Sequence, residues 1–119
     1  MSSALDISVS EEKGVSVLRL KGPVDANTQK ALETKADEVI QGGATNMVLD
    51  LQDVSFMGSA GLRALHVISG MFGEGDQSAR FAHIKLLNPS DEVRRVLKTL
   101  GFDQYIEVFD DLDDAISAF

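Results

Sequence analysis

The sequence of 119 residues contains no cysteine, only two prolines and only two histidines. Without cysteine the chain has no disulfide bonds, no thiolate metal ligands and no thiol nucleophile. The histidines, His66 and His83, lie far apart, and neither has a second ligand four residues away as a helical zinc motif requires. We interpret both as packed or surface side chains, and we expect neither a metal nor a cofactor.

Positive charge is also scarce, because 11 Lys and Arg residues stand against 19 Asp and Glu, for a formal charge of −8. An acidic surface repels phosphate backbones, so nucleic acid is not an expected partner, whereas a protein with a basic patch would fit. No apolar run approaches the roughly 20 residues that span a bilayer. The N-terminus has no basic and apolar segments of a signal peptide. We therefore expect a cytoplasmic protein without membrane insertion.

Sequence motifs for catalysis are missing as well. The chain has no nucleophile elbow, no Walker loop and no H-E-x-x-H zinc motif. Gly70, Gly73 and Gly75 follow a predicted helix, which is the wrong context for dinucleotide binding. The acidic group at 110–114 is most simply a solvated helix start, with a weak cation site as the alternative. The sequence thus predicts no enzymatic activity. The missing motifs argue against the alternative of a small nucleotide-binding or hydrolytic enzyme.

The patterns that are present indicate one α/β domain over residues 1–119, a length that can bury a hydrophobic core. After an opening hairpin, strand and helix patterns alternate, which predicts a mixed sheet of four to five strands with about four helices packed on it. The predicted strands are 5–9, 15–20, 47–51, 81–86 and 106–109, and the predicted helices are 25–40, 59–72, 90–100 and 111–119. We interpret 73–78 as an exposed loop.

Several boundaries rest on particular residues. A turn at 12–14 closes the hairpin. The second strand changes phase between Val17 and Leu18, which indicates a bulge or burial on both faces. Gly22-Pro23 is predicted to end that strand, and Asp25 to cap the first helix.

The stretch VLDLQDVSFMGSAGLRALHVIS, residues 48–69, passes from an apolar strand to an amphipathic helix through four small residues at 58–61. A helix start presents free backbone N–H groups, and with the helix dipole these can seat an anion. A phosphate on Ser59 would lie at that helix start. The alternative is that Ser59 is an ordinary N-cap, which is the simpler reading of these residues alone because serine commonly caps helices.

Three stretches together resemble a known family: GPVDANT at 22–28, MVLDLQDVSFMGSAGLRAL at 47–65 and VLKTLGFDQYIEVFDDLDDAI at 96–116. They resemble a STAS domain of the anti-sigma factor antagonist type, over nearly the whole chain. The resemblance implies a small mixed sheet with helices on one side. It also implies partner switching, in which the protein binds an anti-sigma factor that is a serine kinase, phosphorylation ends the binding, and a phosphatase reverses it. A monomer is the default expectation.

The resemblance also assigns residues. It implies phosphorylation at Ser59 and a partner-binding set of Asp25, Gly58, Ser59, Ala60, Gly61 and Leu62. Many relatives have aspartate where this chain has Gly58, and several carry the acceptor hydroxyl where it has Ala60. Ser59 is then the one acceptor inside the turn. The alternative function is an unswitched STAS module that serves as an interaction subunit of a signalling or lipid-transport complex.

Overall fold

The computed structural model describes residues 4–72 and 81–119 of the chain, so the loop predicted at 73–78 lies outside the described residues. The elements in chain order are β1 (Asp6–Glu12), β2 (Val15–Val24), α1 (Gln29–Gln41), β3 (Met47–Met57), α2 (Ser59–Met71), β4 (Ile84–Leu87), α3 (Asp91–Thr99), a 3₁₀ turn (Phe102–Gln104), β5 (Val108–Phe109) and α4 (Leu112–Ser117). The described strands form one sheet in the order β1-β2-β3-β4-β5. β1 is antiparallel to β2, and the other neighbours are parallel. The predicted α/β fold class is confirmed.

The opening hairpin turns through two residues, Lys13 and Gly14, as the sequence predicts. Both have positive φ angles, 53° and 82°, and Glu12 pairs with Val15 across the turn. Positive φ at both central positions is the geometry of a type I′ turn, whose twist matches that of the strands it joins. The turn therefore fixes the register of β1 against β2.

β2 is buried on both faces, which explains the change of phase in its sequence. Val17 and Leu18 are each completely buried, although adjacent side chains of a strand point to opposite faces. The prediction that Gly22-Pro23 ends this strand is wrong, because β2 continues to Val24. The register against β3 shifts between Gly22 and Pro23, and such an irregularity accommodates a proline within a sheet.

The two faces of the sheet are covered by different helices. The larger core, under α1, α2 and α3, contains Leu18, Leu49 and Leu65. A smaller cluster on the opposite face joins Val17 and Val48 to Ala115 of α4. The family resemblance implied helices on one side of the sheet, and this expectation leaves out α4, which packs on the other side. The neighbouring strands β2 and β3 present apolar residues on both faces, and α4 shields the second face from water.

Some boundaries differ from the sequence prediction. β3 runs to Met57 and not to Leu51, because Lys21–Val24 of β2 continue to pair with it beyond the end of β4. β4 begins at Ile84, and β5 has only two residues. Leu100 follows α3 as its C-cap and is 55% exposed, so its predicted place on the buried stripe of that helix is wrong.

The acidic segment at 110–114 has structural roles in the fold. The Asp111 side chain accepts a hydrogen bond from the N–H of Asp114 at 3.1 Å and caps α4. Asp110 accepts a hydrogen bond from the guanidinium of Arg94 in α3 at 2.7 Å. These contacts support the interpretation of this segment as a solvated helix start.

One charged side chain lies within the smaller cluster. The side chain of Lys85 in β4 is only 4% exposed, and it pairs with the exposed carboxylate of Glu107. Its Nζ lies 4.7 Å from the ring centroid of Phe119, just beyond α4. A cation over an aromatic face is an attractive contact that strengthens when water is excluded. Through this contact with Phe119, Lys85 stabilises the packing of residue 119 against the sheet.

Candidate functional site

The candidate site begins where β3 passes into α2. Gly58 is the N-cap of α2, in extended backbone (φ −103°, ψ −164°), and no side chain caps this helix. Ser59 is the first residue of the helix and is exposed. The interpretation of Ser59 as an N-cap is therefore wrong, because Gly58 occupies that position and the serine hydroxyl has no capping role.

The N-terminus of α2 has backbone N–H groups that are free of intrahelical hydrogen bonds. The N–H groups of Gly61 and Leu62 both donate to the carbonyl of Gly58, at 3.0 and 3.2 Å. The N–H groups of Ser59 and Ala60 precede these first intrahelical hydrogen bonds. The first turn of α2 contains no acidic residue. The positive end of the helix dipole therefore lies beside the Ser59 hydroxyl, and the first turn itself supplies no carboxylate to compensate it.

The next three residues of the predicted partner-binding set point into the protein. Ala60, Gly61 and Leu62 are buried. A Cβ atom on Gly61 would lie 2.6 Å from Cγ of Met57 and 3.1 Å from Cγ1 of Val24. The absence of a side chain at Gly61 lets α2 pack closely on the ends of β2 and β3. These three residues therefore position the turn, and its exposed surface is formed by their neighbours.

An aromatic side chain that the sequence prediction missed lies beside the turn. Phe56 is 51% exposed, whereas Val54 and Met57 on the same strand are buried. A Cβ atom on Gly58 would lie only 3.0 Å from Cζ of Phe56. Glycine at position 58 thus leaves room for this ring against the turn. Strict alternation from the buried Val54 would have directed Phe56 inward, so a period of two gave no signal of its exposure.

Asp25 does not cap α1, so that prediction is wrong. The helix begins at Gln29, with Thr28 as its N-cap residue. Asp25 Oδ1 instead accepts hydrogen bonds from the N–H groups of Asn27 and Thr28, at 2.9 and 3.2 Å. An aspartate that bonds to backbone two or three residues ahead stabilises a turn before the helix.

This turn lies next to the start of α2, as the predicted site requires. Val24 pairs with Met57, and the N–H of Gly58 donates to the carbonyl of Val24 at 3.3 Å. Asp25 follows the end of β2 and Ser59 follows the end of β3. The two residues therefore lie in neighbouring segments at the same end of the sheet. The structure brings together the two polar residues of the predicted set.

The Thr28 hydroxyl stabilises the turn by donating one hydrogen bond and accepting another. It donates to the carbonyl of Pro23 at 2.8 Å and accepts from the N–H of Asp25 at 2.9 Å, and the residue is 5% exposed. We expect Thr28→Val to lower the free energy of unfolding by about 1–3 kcal/mol, because both backbone groups lose a buried partner. Urea denaturation measures the change. Thr28→Ser keeps the hydroxyl and is the control; a valine variant as stable as the serine variant would contradict this role.

Both histidines are engaged in packing, as predicted. His66 makes edge contacts with the rings of Phe81 and Phe102, at centroid distances of 5.5 and 5.0 Å. His83 stacks on Phe72, and its Nδ1 lies 3.0 Å from Oδ1 of Asn46. Neither histidine belongs to the surface around Ser59.

Comparison with known proteins identifies the family. The STAS domain family matches residues 6–115 of the chain. The anti-sigma-F factor antagonist RsfB of Mycobacterium tuberculosis is 32% identical over 114 residues, which cover 96% of this chain and 88% of RsfB. The chain belongs to the anti-sigma factor antagonist family of STAS domain proteins, as the resemblance of its motifs predicted.

Solved structures agree with this assignment. The crystal structure of an anti-sigma factor antagonist from Mycobacterium paratuberculosis has a TM-score of 0.84 at 27% identity, covering 99% of this chain and 96% of that one. The phosphorylated form of SpoIIAA, a Bacillus cell fate determinant, shares the fold, with a TM-score of 0.65 at 22% identity over 94% of this chain and 97% of that one.

Membership of this family bears on the expected lack of catalysis. Anti-sigma factor antagonists are regulatory proteins and not enzymes, so the expectation of no enzymatic activity is confirmed. Within residues 4–72 and 81–119, no helix has the length and apolar character needed to cross a membrane.

Proposed function

We propose that this protein antagonises an anti-sigma factor by partner switching, with Ser59 as the phosphorylated residue. The unphosphorylated protein binds an anti-sigma factor that is also a serine kinase; phosphorylation of Ser59 by that kinase ends the binding, and a phosphatase restores it. The protein acts in the cytoplasm as a monomer. The observation that carries the proposal is the exposed position of Ser59 at the first residue of α2, with no capping role for its hydroxyl.

The surroundings of Ser59 suit a phosphate. The open helix start favours an added dianion, and the small residues on either side leave the hydroxyl accessible to another protein. Arg63 is exposed one helical turn further on, at the i+4 spacing that brings two side chains together on a helix surface. SpoIIAA, which shares the fold, has been solved in a phosphorylated form. A phosphorylated form of a protein with this fold supports phosphorylation as the regulatory step.

The exposed ring of Phe56 gives the same surface an apolar centre. Protein interfaces concentrate their binding energy in a few buried anchors, and aromatic residues are prominent among them. Phe56 lies against the turn, three positions before Ser59, and Asp25 lies across the edge of the sheet. We therefore place the anti-sigma factor over Phe56, Ser59 and Asp25, with the buried residues of α2 beneath.

Replacement of Phe56 tests this placement. Phe56→Ala is expected to weaken binding of the anti-sigma factor about 30-fold, the equivalent of about 2 kcal/mol, because an interfacial aromatic anchor is lost. Leu100→Ala is the matched control, since Leu100 is similarly exposed, at 55%, but lies at the end of α3. Isothermal titration calorimetry measures both affinities. Equal losses in the two variants, or no loss in either, would contradict an anchor at Phe56.

The proposed switch is tested with the anti-sigma factor kinase, ATP and mass spectrometry. Wild-type protein and Ser55→Ala should each gain one phosphate on Ser59, and Ser59→Ala should gain none. Ser55 is the informative control because it is a second exposed serine near the end of β3. Phosphate at another position, or none from a kinase shown to be active, would favour the unswitched STAS module in a signalling or lipid-transport complex.

A further inference from the structure

The sheet has one long free edge. β1 forms that edge over seven residues, Asp6–Glu12, and in the part of the chain that the structure describes it pairs only with β2. The opposite edge, β5, has two residues. An edge strand presents unpaired backbone N–H and C=O groups, and these can pair with a strand from another chain.

A groove runs beside this edge, between the hairpin and the end of α1. Its volume is about 600 Å³, and its lining includes Val9 and Glu11 of β1, Ser16 of β2, Glu38 and Val39 of α1 and the C-cap residue Gly42. Val9 is 45% exposed, although it lies on the face of β1 that α1 covers further along. The groove therefore gives the free edge an adjoining space for side chains of an added strand.

The charge of the groove favours a cation. The last turn of α1 contains no basic residue, so the negative end of its dipole is uncompensated there. Glu11 and Glu38 add two exposed carboxylates to the lining. Lys35 pairs with Glu38 at 3.2 Å, but both side chains are exposed, and such a pair contributes little and yields readily to another cation.

A second copy of this chain does not fit the edge. If two β1 strands paired antiparallel over their full length, Asp6 of each copy would face Glu12 of the other. Like charges directly opposite in a sheet are destabilising. The net charge of −8 on each copy adds to the repulsion. A basic segment of a different chain therefore complements the edge better than a second copy does.

We propose that the β1 edge and its groove bind an extended basic segment of another protein, which adds to the sheet as a sixth strand. Side chains two residues apart lie on the same face of a strand. Val9 and Glu11 have this spacing, so the segment carries an apolar residue over Val9 and a Lys or Arg two positions away, directed into the groove. This surface includes none of the residues around Ser59, and the two sites act separately.

A designed peptide tests the proposal. The probe is Lys-Lys-Thr-Val-Thr-Val-Lys with blocked ends, which places Lys opposite Glu12, Glu11 and Asp6 and Val opposite Val9 in an antiparallel pairing. Titration into isotope-labelled protein should shift the amide signals of β1 and of the end of α1. The same peptide with Glu in place of every Lys should bind at least tenfold more weakly. No shift at millimolar peptide, shifts confined to other elements, or equal binding of the acidic peptide would overturn the proposal.

Two further comparisons separate strand addition from general attraction of charge. Two N-methylated versions of the peptide are compared, one methylated at the odd-numbered backbone nitrogens and one at the even-numbered. Only one of these two rows of N–H groups faces β1, so one version should lose binding and the other should keep it. Equal binding of both methylated peptides would overturn strand addition. The variant Glu11→Lys with Glu38→Lys should lose at least tenfold in affinity, whereas Glu92→Lys with Asp103→Lys makes the same change in net charge elsewhere and should lose little. Equal losses in these two variants would also overturn the site.

The peptide experiment is independent of the proposed switch. Ser59→Asp should bind the peptide as the wild type does, so failure of the switch and failure of the edge site are distinguishable. Concentration-dependent shifts in β1 without peptide would show that a second copy occupies the edge, and would overturn the choice of partner.

Discussion

Phosphorylation of Ser59 is expected to weaken binding of the anti-sigma factor about a hundredfold while leaving the melting temperature nearly unchanged. Within the domain, a phosphate at the start of α2 is stabilised by the helix dipole, by about 0.3–1 kcal/mol. At the interface the same dianion loses water against the partner, and an uncompensated buried charge costs roughly 3–5 kcal/mol. A net cost of about 2.8 kcal/mol already corresponds to a hundredfold. The interface term exceeds the dipole term, so the complex dissociates while the fold survives.

Two substitutions separate charge from the loss of the hydroxyl. Ser59→Asp should reproduce part of the loss, because aspartate carries one charge on a shorter side chain, and Ser59→Ala should retain binding while resisting the kinase. Calorimetric titration of the three unphosphorylated forms and the phosphorylated wild type gives the affinities. The explanation fails if the phosphorylated protein binds as tightly as the unphosphorylated form, or if it has lost its folded structure.

The second large effect is expected at Gly61. In Gly61→Ala the new Cβ would lie 2.6 Å from Cγ of Met57 and 3.3 Å from the carbonyl oxygen of Val24, so the Met57 side chain and the start of α2 must shift. Overpacking of this kind costs about 1–3 kcal/mol of unfolding free energy. Because the displaced turn carries Ser59, the same variant should also bind the anti-sigma factor more weakly.

Gly70 provides a matched control on the same helix. A Cβ atom there meets no atom of residues 4–72 or 81–119 within 4 Å, and the φ angle of Gly70 is not positive. Gly70→Ala should therefore raise the unfolding free energy by about 0.5–1 kcal/mol through helix propensity. Urea denaturation of the two variants should give changes of opposite sign. A Gly61→Ala variant as stable as Gly70→Ala would mean that the close approach of α2 to the sheet is not required.

Local patterns in the sequence were sufficient for the order of the elements, the hairpin turn and the approximate starts of the last two helices, because each depends on residues close together in the chain. The long β3 was not predictable, since its second half depends on pairing with Lys21–Val24 of β2. The role of Asp25 was missed for a similar reason. Aspartate and threonine both cap helices, and only the contact of Thr28 with Pro23 decides between them.

The candidate site shows the same division. Ser59 could be singled out from the small residues around it, but the burial of Ala60, Gly61 and Leu62 depends on packing against Val24 and Met57. The exposure of Phe56 arises in the irregular part of the β2–β3 pairing, where strict alternation of faces fails. A period of two along the strand therefore did not predict that Phe56 would be exposed.

Because α4 packs on the opposite face of the sheet from the other helices, the protein has two hydrophobic clusters of unequal size. The α4 cluster of five buried residues is separated by the sheet from the larger core, and the helix itself has six residues. Elements with few buried contacts open at lower free energy than the whole domain unfolds. Detachment of α4 uncovers Val17, Val48 and the Lys85 ammonium while the helices on the other face stay packed. We therefore expect amide hydrogen exchange in α4 to be faster than in the helices on the other face.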